Sequence, residues 1–293
     1  MPNSSSAHID SWCRLLASSS IPVLRRTKRA LDSLAKNIEH VSARDIANIA
    51  AQDPLMTAKL FALVAEKRSS RNATEITSVE GCVFMVGVPP FFRAFANLRV
   101  AEERLRSTPH ALRGLLRVVR RSRKASALSW DFAHWRTDLA IDEIAIAALL
   151  HDLAEMLVWC FAPALAQQIE ALLKKHPGMR SRAVQLAVLK FELPELQLAL
   201  FKRWQLPELL TAMMDSANIA NPRICNILYA VNIARHAAHG WDDPALPSDY
   251  EDVARLLNTS AAFVKSQIQS GKGLSKGRTV EEESGQTAEG AAA

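Results

Sequence analysis

The sequence predicts an all-α protein, on three observations. Apolar residues recur at spacings of three and four along most of the chain, and no segment sustains the apolar/polar alternation of a half-buried strand. Prolines at 163, 177, 194, 207 and 222 punctuate these periodic runs, as helix boundaries require.

The elements follow in order. After a polar, serine-rich start, Asp10 is placed to cap a short helix over residues 10–18. IPVLRRTKRALDSLAKNIEH, residues 21–40, brings Leu24, Leu31, Leu34 and Ile38 to one face, with Pro22 in its first turn. Ser42 and Asp45 are spaced as a capping box for the helix that follows. Asp53 then caps a new helix that has Pro54 at its first position. A helix starts near Ser78, turns at residues 87–90 and resumes. Further helices are expected over 109–136, 141–161, 163–175, 179–190, 194–203, 207–216 and 222–238. The tail, residues 266–293 and above all GKGLSKGRTVEEESGQTAEGAAA from Gly271, has almost no large apolar side chains. It cannot offset its ordering entropy and is expected to be disordered.

Composition bounds the function. The 293 residues, 49% of them apolar, suffice for a sizeable core. Lys and Arg outnumber Asp and Glu by 36 to 30, a mild excess that favours contact with anions. Cys13, Cys82, Cys160 and Cys225 are scattered singly among apolar neighbours, which suggests buried thiols in a reducing cytoplasm and no zinc knuckle. The N-terminus has no signal-peptide pattern, and the apolar runs are read as broken by charge short of a membrane span. The 10 glycines form neither GxGxxG nor GxxxxGK, so phosphate-loop nucleotide hydrolysis finds no support.

The order of segments resembles the HDOD domain, a divergent relative of the HD metal-dependent phosphohydrolases. The resemblance rests on IPVL at 21–24, SARDIANIAAQDPLMTAKLFALV at 42–64 and ITSVEGCVFMVGV at 76–88. It continues through AIAALLHDLAEMLV at 145–158, LALFKRWQLPELLTAMM at 198–214 and ICNILYAVNIARHAAHGW at 224–241. It spans residues 15–265, after residues 1–14, read as a flexible N-terminus and the start of the first helix. It implies an N-terminal helical lobe (15–108) packed on an HD-like lobe (109–265), with the boundary at Ser107, Thr108 and Pro109. Ala65 and Glu66 stand where the family usually has Asn-Ser, and Ala154 and Glu155 stand near its usual glycine, which marks a divergent member.

In a catalytic HD protein the resemblance implies a first His on one helix, an adjacent His-Asp pair on a second and a later Asp, all converging on a divalent ion. Here His151 and Asp152 supply the pair, but Arg121 occupies the position matching the first His, and a permanent cation cannot ligate. His134 lies too close in sequence to replace it, and Asp215 is the conceivable last ligand. His151 and Asp152 are therefore read as vestigial. No catalytic residue, metal or cofactor is expected, and Arg121 is expected to replace the ion's charge beside Asp152.

HALRGLLRVVRRSRKAS places Arg113, Arg117, Arg120, Arg121 and Lys124 on one basic stripe, apart from Leu112, Leu115, Leu116 and Val119. This stripe is the candidate surface for an anion or a partner. Phe91, Phe92 and Phe95 are expected in a core, as are Trp204 and Trp241. His236 and His239 share a helix face with no acidic partner evident nearby, and Cys160 should be an inert thiol. The resemblance implies a non-enzymatic output or scaffold module of bacterial signal transduction, cytoplasmic and regulatory. Its partner would be a signalling or otherwise acidic protein, or a nucleotide. No membrane is implied, and sequence-specific DNA binding is not expected, because no aromatic-interleaved recognition helix or zinc finger accompanies the stripe. The alternative is a metal-dependent phosphohydrolase acting on a nucleotide or cyclic dinucleotide, which would need a ligand from elsewhere.

Overall fold

The structure is a computed structural model that describes residues 4–18, 21–67, 76–138, 140–176, 179–215, 218 and 220–271. Its elements are helices: α1 (Ser4–Ser18), α2 (Arg25–Leu34) continued by a 3-10 segment (Ala35–His40), α3 (Ala43–Ala50), α4 (Pro54–Lys67), α5 (Val79–Val86), α6 (Val88–Ala94) and α7 (Ala101–Arg104). They continue as α8 (Pro109–Trp135), α9 (Ile141–Leu150), α10 (Leu153–Phe161), α11 (Pro163–Lys175), α12 (Ser181–Leu189) and α13 (Leu193–Arg203). The last four are α14 (Glu208–Ala212), α15 (Pro222–His236), α16 (Leu246–Leu257) and α17 (Ala261–Ser270). The all-α class is as the sequence predicts, and among the described residues the sole extended pairing is an isolated parallel bridge between Val23 and Val100.

That bridge corrects the reading of residues 21–40 as one helix. Val23 N–H donates to the Arg99 carbonyl at 2.8 Å and Ala101 N–H donates to the Val23 carbonyl at 2.9 Å, so 21–24 run extended and Pro22 precedes the helix. Asp53 fixes the same corner. Wholly buried, its carboxylate accepts from Leu24 N–H at 2.8 Å and from Leu55 and Met56 N–H at 3.0 and 3.3 Å, so it caps α4 and ties it to the extended segment. Burial pushes its carboxyl pKa up, against the Leu24 N–H, the Thr27 hydroxyl and the two α4 amides. Ser42 and Asp45 form the expected capping box. Other boundaries shift. Helix α1 begins before Asp10, which lies inside it, and α17 carries helix through Ser270, so the first residues of the expected disordered tail are ordered. The tail from 272 lies outside the described residues.

The chain groups into two compact units, Met1–Arg120 with Asp152–Met214, and Arg121–His151 with Asp215–Ala293. The expected lobe boundary at 107–109 is where α8 starts, whereas the units divide within α8. With 27 residues this helix is about 40 Å long, and it gives Leu115, Val118 and Val119 to one core and Leu128 and Phe132 to the other. In the first unit α3 and α4 pack on α5, and α10 packs on α4, α11 and α13. In the second unit α15 packs on α9 and α16, and α16 on α17, around Phe132, Ile233, Tyr250, Val253 and Val264.

The run Ile141–Phe161 is long and apolar enough to cross a membrane, contrary to the sequence reading, but 72% of its most apolar window is buried inside the protein. Nor is it one helix: it breaks at His151 and Asp152.

Candidate functional site

The break is held from a distance. His151 ends α9 with helical torsions, whereas Asp152 (φ −104°, ψ 24°) leaves the helical region before α10 begins. The Ala154 N–H, buried at this restart, donates to Gln197 Oε1 of α13 at 2.6 Å instead of to a carbonyl one turn back. Gln197 is itself 2% exposed, so a neutral amide from another helix satisfies the orphan donor. His151 and Asp152 are both half-buried. Asp215 lies exposed beyond α14, and His134 stacks on Trp130 instead of turning to a ligand role. Among the described residues no three His, Cys, Asp or Glu side chains converge as metal ligands would. The residues present therefore do not fit the ion of a catalytic HD centre.

The basic stripe is resolved residue by residue. Arg113, Arg117 and Arg120 are exposed on α8, and Arg121 and Lys124 are half-buried. Arg117 Nη2 lies 2.5 Å from Glu170 of α11, which also receives His110 Nε2 at 2.6 Å and Lys174 Nζ at 3.0 Å. Burial alone would raise the Glu170 pKa, but the hydrogen bonds of His110 and Lys174 and the charge of Arg117 outweigh it and hold the carboxyl at about 2. Lys124 lies over the Trp241 ring at 4.0 Å. Burial lowers its pKa.

The distribution of charge sets α8 apart. From Pro109 to Trp130 the helix carries six Lys and Arg and no Asp or Glu, so the rest of the chain holds 30 of each sign. The stretch 109–130 thus carries a formal charge of +6, equal to the net charge of the whole chain.

The chain matches the HDOD domain over residues 21–219. It belongs to the HDOD family. No curated protein matches. Among solved structures, this HDOD chain resembles the MmoQ response regulator from Methylococcus capsulatus str. Bath, with 21% identity over 82% of this chain and 98% of that one and a TM-score of 0.62. It resembles equally a virulence factor from Campylobacter jejuni subsp. jejuni, with 17% identity over 85% and 89% of the two chains and a TM-score of 0.62. At these identities the likeness establishes the fold.

Several site-level expectations are corrected by the HDOD chain's packing. Trp241 is not a core residue but 44% exposed, held beside α8 by Lys124. The two histidines thought to lack acids have one each: His236 Nδ1 meets the nearly buried Asp249 at 2.6 Å, and His239 Nδ1 meets Asp243 at 3.2 Å. Cys225 is half-buried where the other three cysteines are buried. Phe91 and Phe95 are core residues, in edge-to-face contact, while Phe92 is only half-buried. Trp204 is in the core. Cys160 is buried, which pushes its thiol to about 12 against the charge of Arg104, so it is inert. Gln197, Glu170 and Trp241 were beyond sequence reasoning because their partners are remote. The acid-free stretch from 109 to 130 was legible and is the signal that singles out α8.

Proposed function

We propose that this HDOD chain is a non-enzymatic regulatory module of cytoplasmic bacterial signal transduction that acts by binding an anionic partner or ligand through α8. The observation that carries the reading is the run of six Lys and Arg without an acid from Pro109 to Trp130 of α8, with Arg113, Arg117 and Arg120 exposed along it. Arginine forks suit carboxylate and phosphate, so exposed guanidinium groups can bind such anions without any step of turnover. Family membership supports the regulatory role, since HDOD proteins resemble phosphohydrolases in fold and generally serve as output or scaffold domains. The Arg121 replacement supports the absence of turnover.

The test pairs binding with turnover. Inorganic pyrophosphate and a poly-glutamate peptide should bind the full chain in a salt-sensitive way, and Arg113→Glu with Arg120→Glu should weaken both by tenfold or more at low salt. These arginines are exposed, so the fold should persist. No phosphoester, cyclic dinucleotides included, should be hydrolysed. Stoichiometric iron, manganese or zinc, together with hydrolysis that His151→Ala abolishes in a folded protein, would replace this reading with a phosphohydrolase.

A further inference from the structure

The acid-free stretch of α8 ends among exposed aromatic rings. Trp130 is 40% exposed and Trp241 44%, whereas Trp159 and Trp204 are core residues. His134 lies parallel to Trp130, with 5.1 Å between ring centres and 5° between planes, and Lys124 Nζ sits 4.0 Å from the Trp241 ring centre. All four residues belong to the second unit. Lys124 and Trp130 are six residues apart on one helix, which sets them on the order of 9 Å apart along its axis and about 120° apart around it. Each indole is therefore oriented by a neighbour that leaves more than a third of it to solvent.

We infer that this end of α8 binds single-stranded nucleic acid, its bases stacking on Trp130 and Trp241 and its phosphates met by Lys124 and Arg121. The inference rests on α8 being an anion-binding surface and adds the class of anion. Two features favour a single strand over the alternatives. An indole can stack only on a base whose face is open, which a strand offers and a duplex withholds. An acidic peptide would use the cations but leave both exposed rings idle, whereas a flexible strand offers phosphates to the cations and can carry open base faces around the helix to both rings. The acids nearby fix its extent. Burial pushes the Asp131 carboxyl pKa up against the charge of His134, and Asp243 is occupied by His239 and the Ala245 N–H. Exposed Asp242 adjoins Trp241 in sequence and marks the edge of the surface.

The experiment uses the full chain with labelled dT and U strands of about 20 nucleotides, long enough for several stacked bases, beside the matching DNA duplex, poly-glutamate and pyrophosphate. Both strands should bind, quench tryptophan emission and weaken as salt rises. Trp130→Ala with Trp241→Ala should weaken the strands by about tenfold or more, leaving poly-glutamate and pyrophosphate unchanged, and Trp130→Phe with Trp241→Phe should restore most of the strand affinity. The inference is overturned if the alanine variant, folded by circular dichroism, holds the strands as the unaltered chain does. It is equally overturned if duplex and poly-glutamate bind as tightly as the strands, an outcome that leaves α8 as an anion surface. Failure of every anion to bind at low salt overturns both.

Discussion

Replacing Gly114 with alanine sets two effects of opposite sign against each other. Gly114 lies inside α8 with ordinary helical torsions, where alanine is normally favoured by about 0.5–1 kcal/mol because it restricts the unfolded chain. A Cβ there would stand 2.6 Å from Trp159 Cζ2 and Cη2 and 2.7 Å from Cζ3. Ordinary contact begins near 3.4 Å, so α8 and the ring must part by about 0.8 Å. Trp159 is 4% exposed and cannot swing clear without vacating its place in the core. Overpacking of this size costs about 1–3 kcal/mol, which exceeds the helical gain. Gly114→Ala is expected to destabilise by about 1–2 kcal/mol, a fall of a few degrees in Tm for a chain of this size. Calorimetry or chemical denaturation would measure it. A double-mutant cycle sharpens the test: in a Trp159→Leu background the clash is gone and the same substitution should turn stabilising. If Gly114→Ala stabilises the unaltered chain, the close approach of α8 to Trp159 is wrong.

Three further outcomes are expected. Asp53→Ala strands the Leu24, Leu55 and Met56 amides in the interior and should cost about 3 kcal/mol or more, read from the denaturation midpoint. Gln197→Ala leaves the buried Ala154 N–H without its acceptor and should cost about 1–3 kcal/mol, with hydrogen exchange at Ala154 accelerated beyond the global change. Glu170 has a folded pKa depressed from 4.5 to about 2, so its contribution is present above pH 4.5 and lost as pH falls from there toward 2. Because its partners are 47 to 66% exposed, solvent screening reduces that contribution to about 1 kcal/mol. Glu170→Gln should remove this segment of the acid-stability profile.

What the sequence made legible is what local chemistry decides. The Ser42 and Asp45 capping box, the Asp53 cap before Pro54 and the helix start at Pro109 need only neighbours within one turn, and each lies where spacing places it. The break at His151 was not legible. No glycine or proline interrupts the apolar run, and the residue that sustains the restart, Gln197, is 43 positions beyond Ala154. The extended pairing of Val23 with Val100 was hidden for the same reason, since IPVL reads equally well as the first turn of a helix. At the basic stripe the residue types were read correctly but not their engagements, because Glu170 and Trp241 reach α8 from other elements.

The His-Asp junction and the α8 surface separate two properties that a metal centre would have joined. In a catalytic HD site one ion holds the turn together and supplies the chemistry, so a ligand substitution damages both. Here the restart of α10 takes a neutral amide from Gln197 within buried packing, with Leu149, Leu150, Leu153 and Ala154 all at most 2% exposed, while the exposed charges Arg113 and Arg120 stand on α8. Substitutions at the two places should therefore act independently. His151→Ala should lower Tm and leave pyrophosphate affinity unchanged, whereas Arg113→Glu with Arg120→Glu should weaken pyrophosphate binding and leave Tm nearly unchanged. The combined variant should show the sum of both effects within about 0.5 kcal/mol. A binding loss caused by His151→Ala in a protein that remains folded would show that the pair still serves the ligand, and the separation argued from Gln197 and α8 would fail.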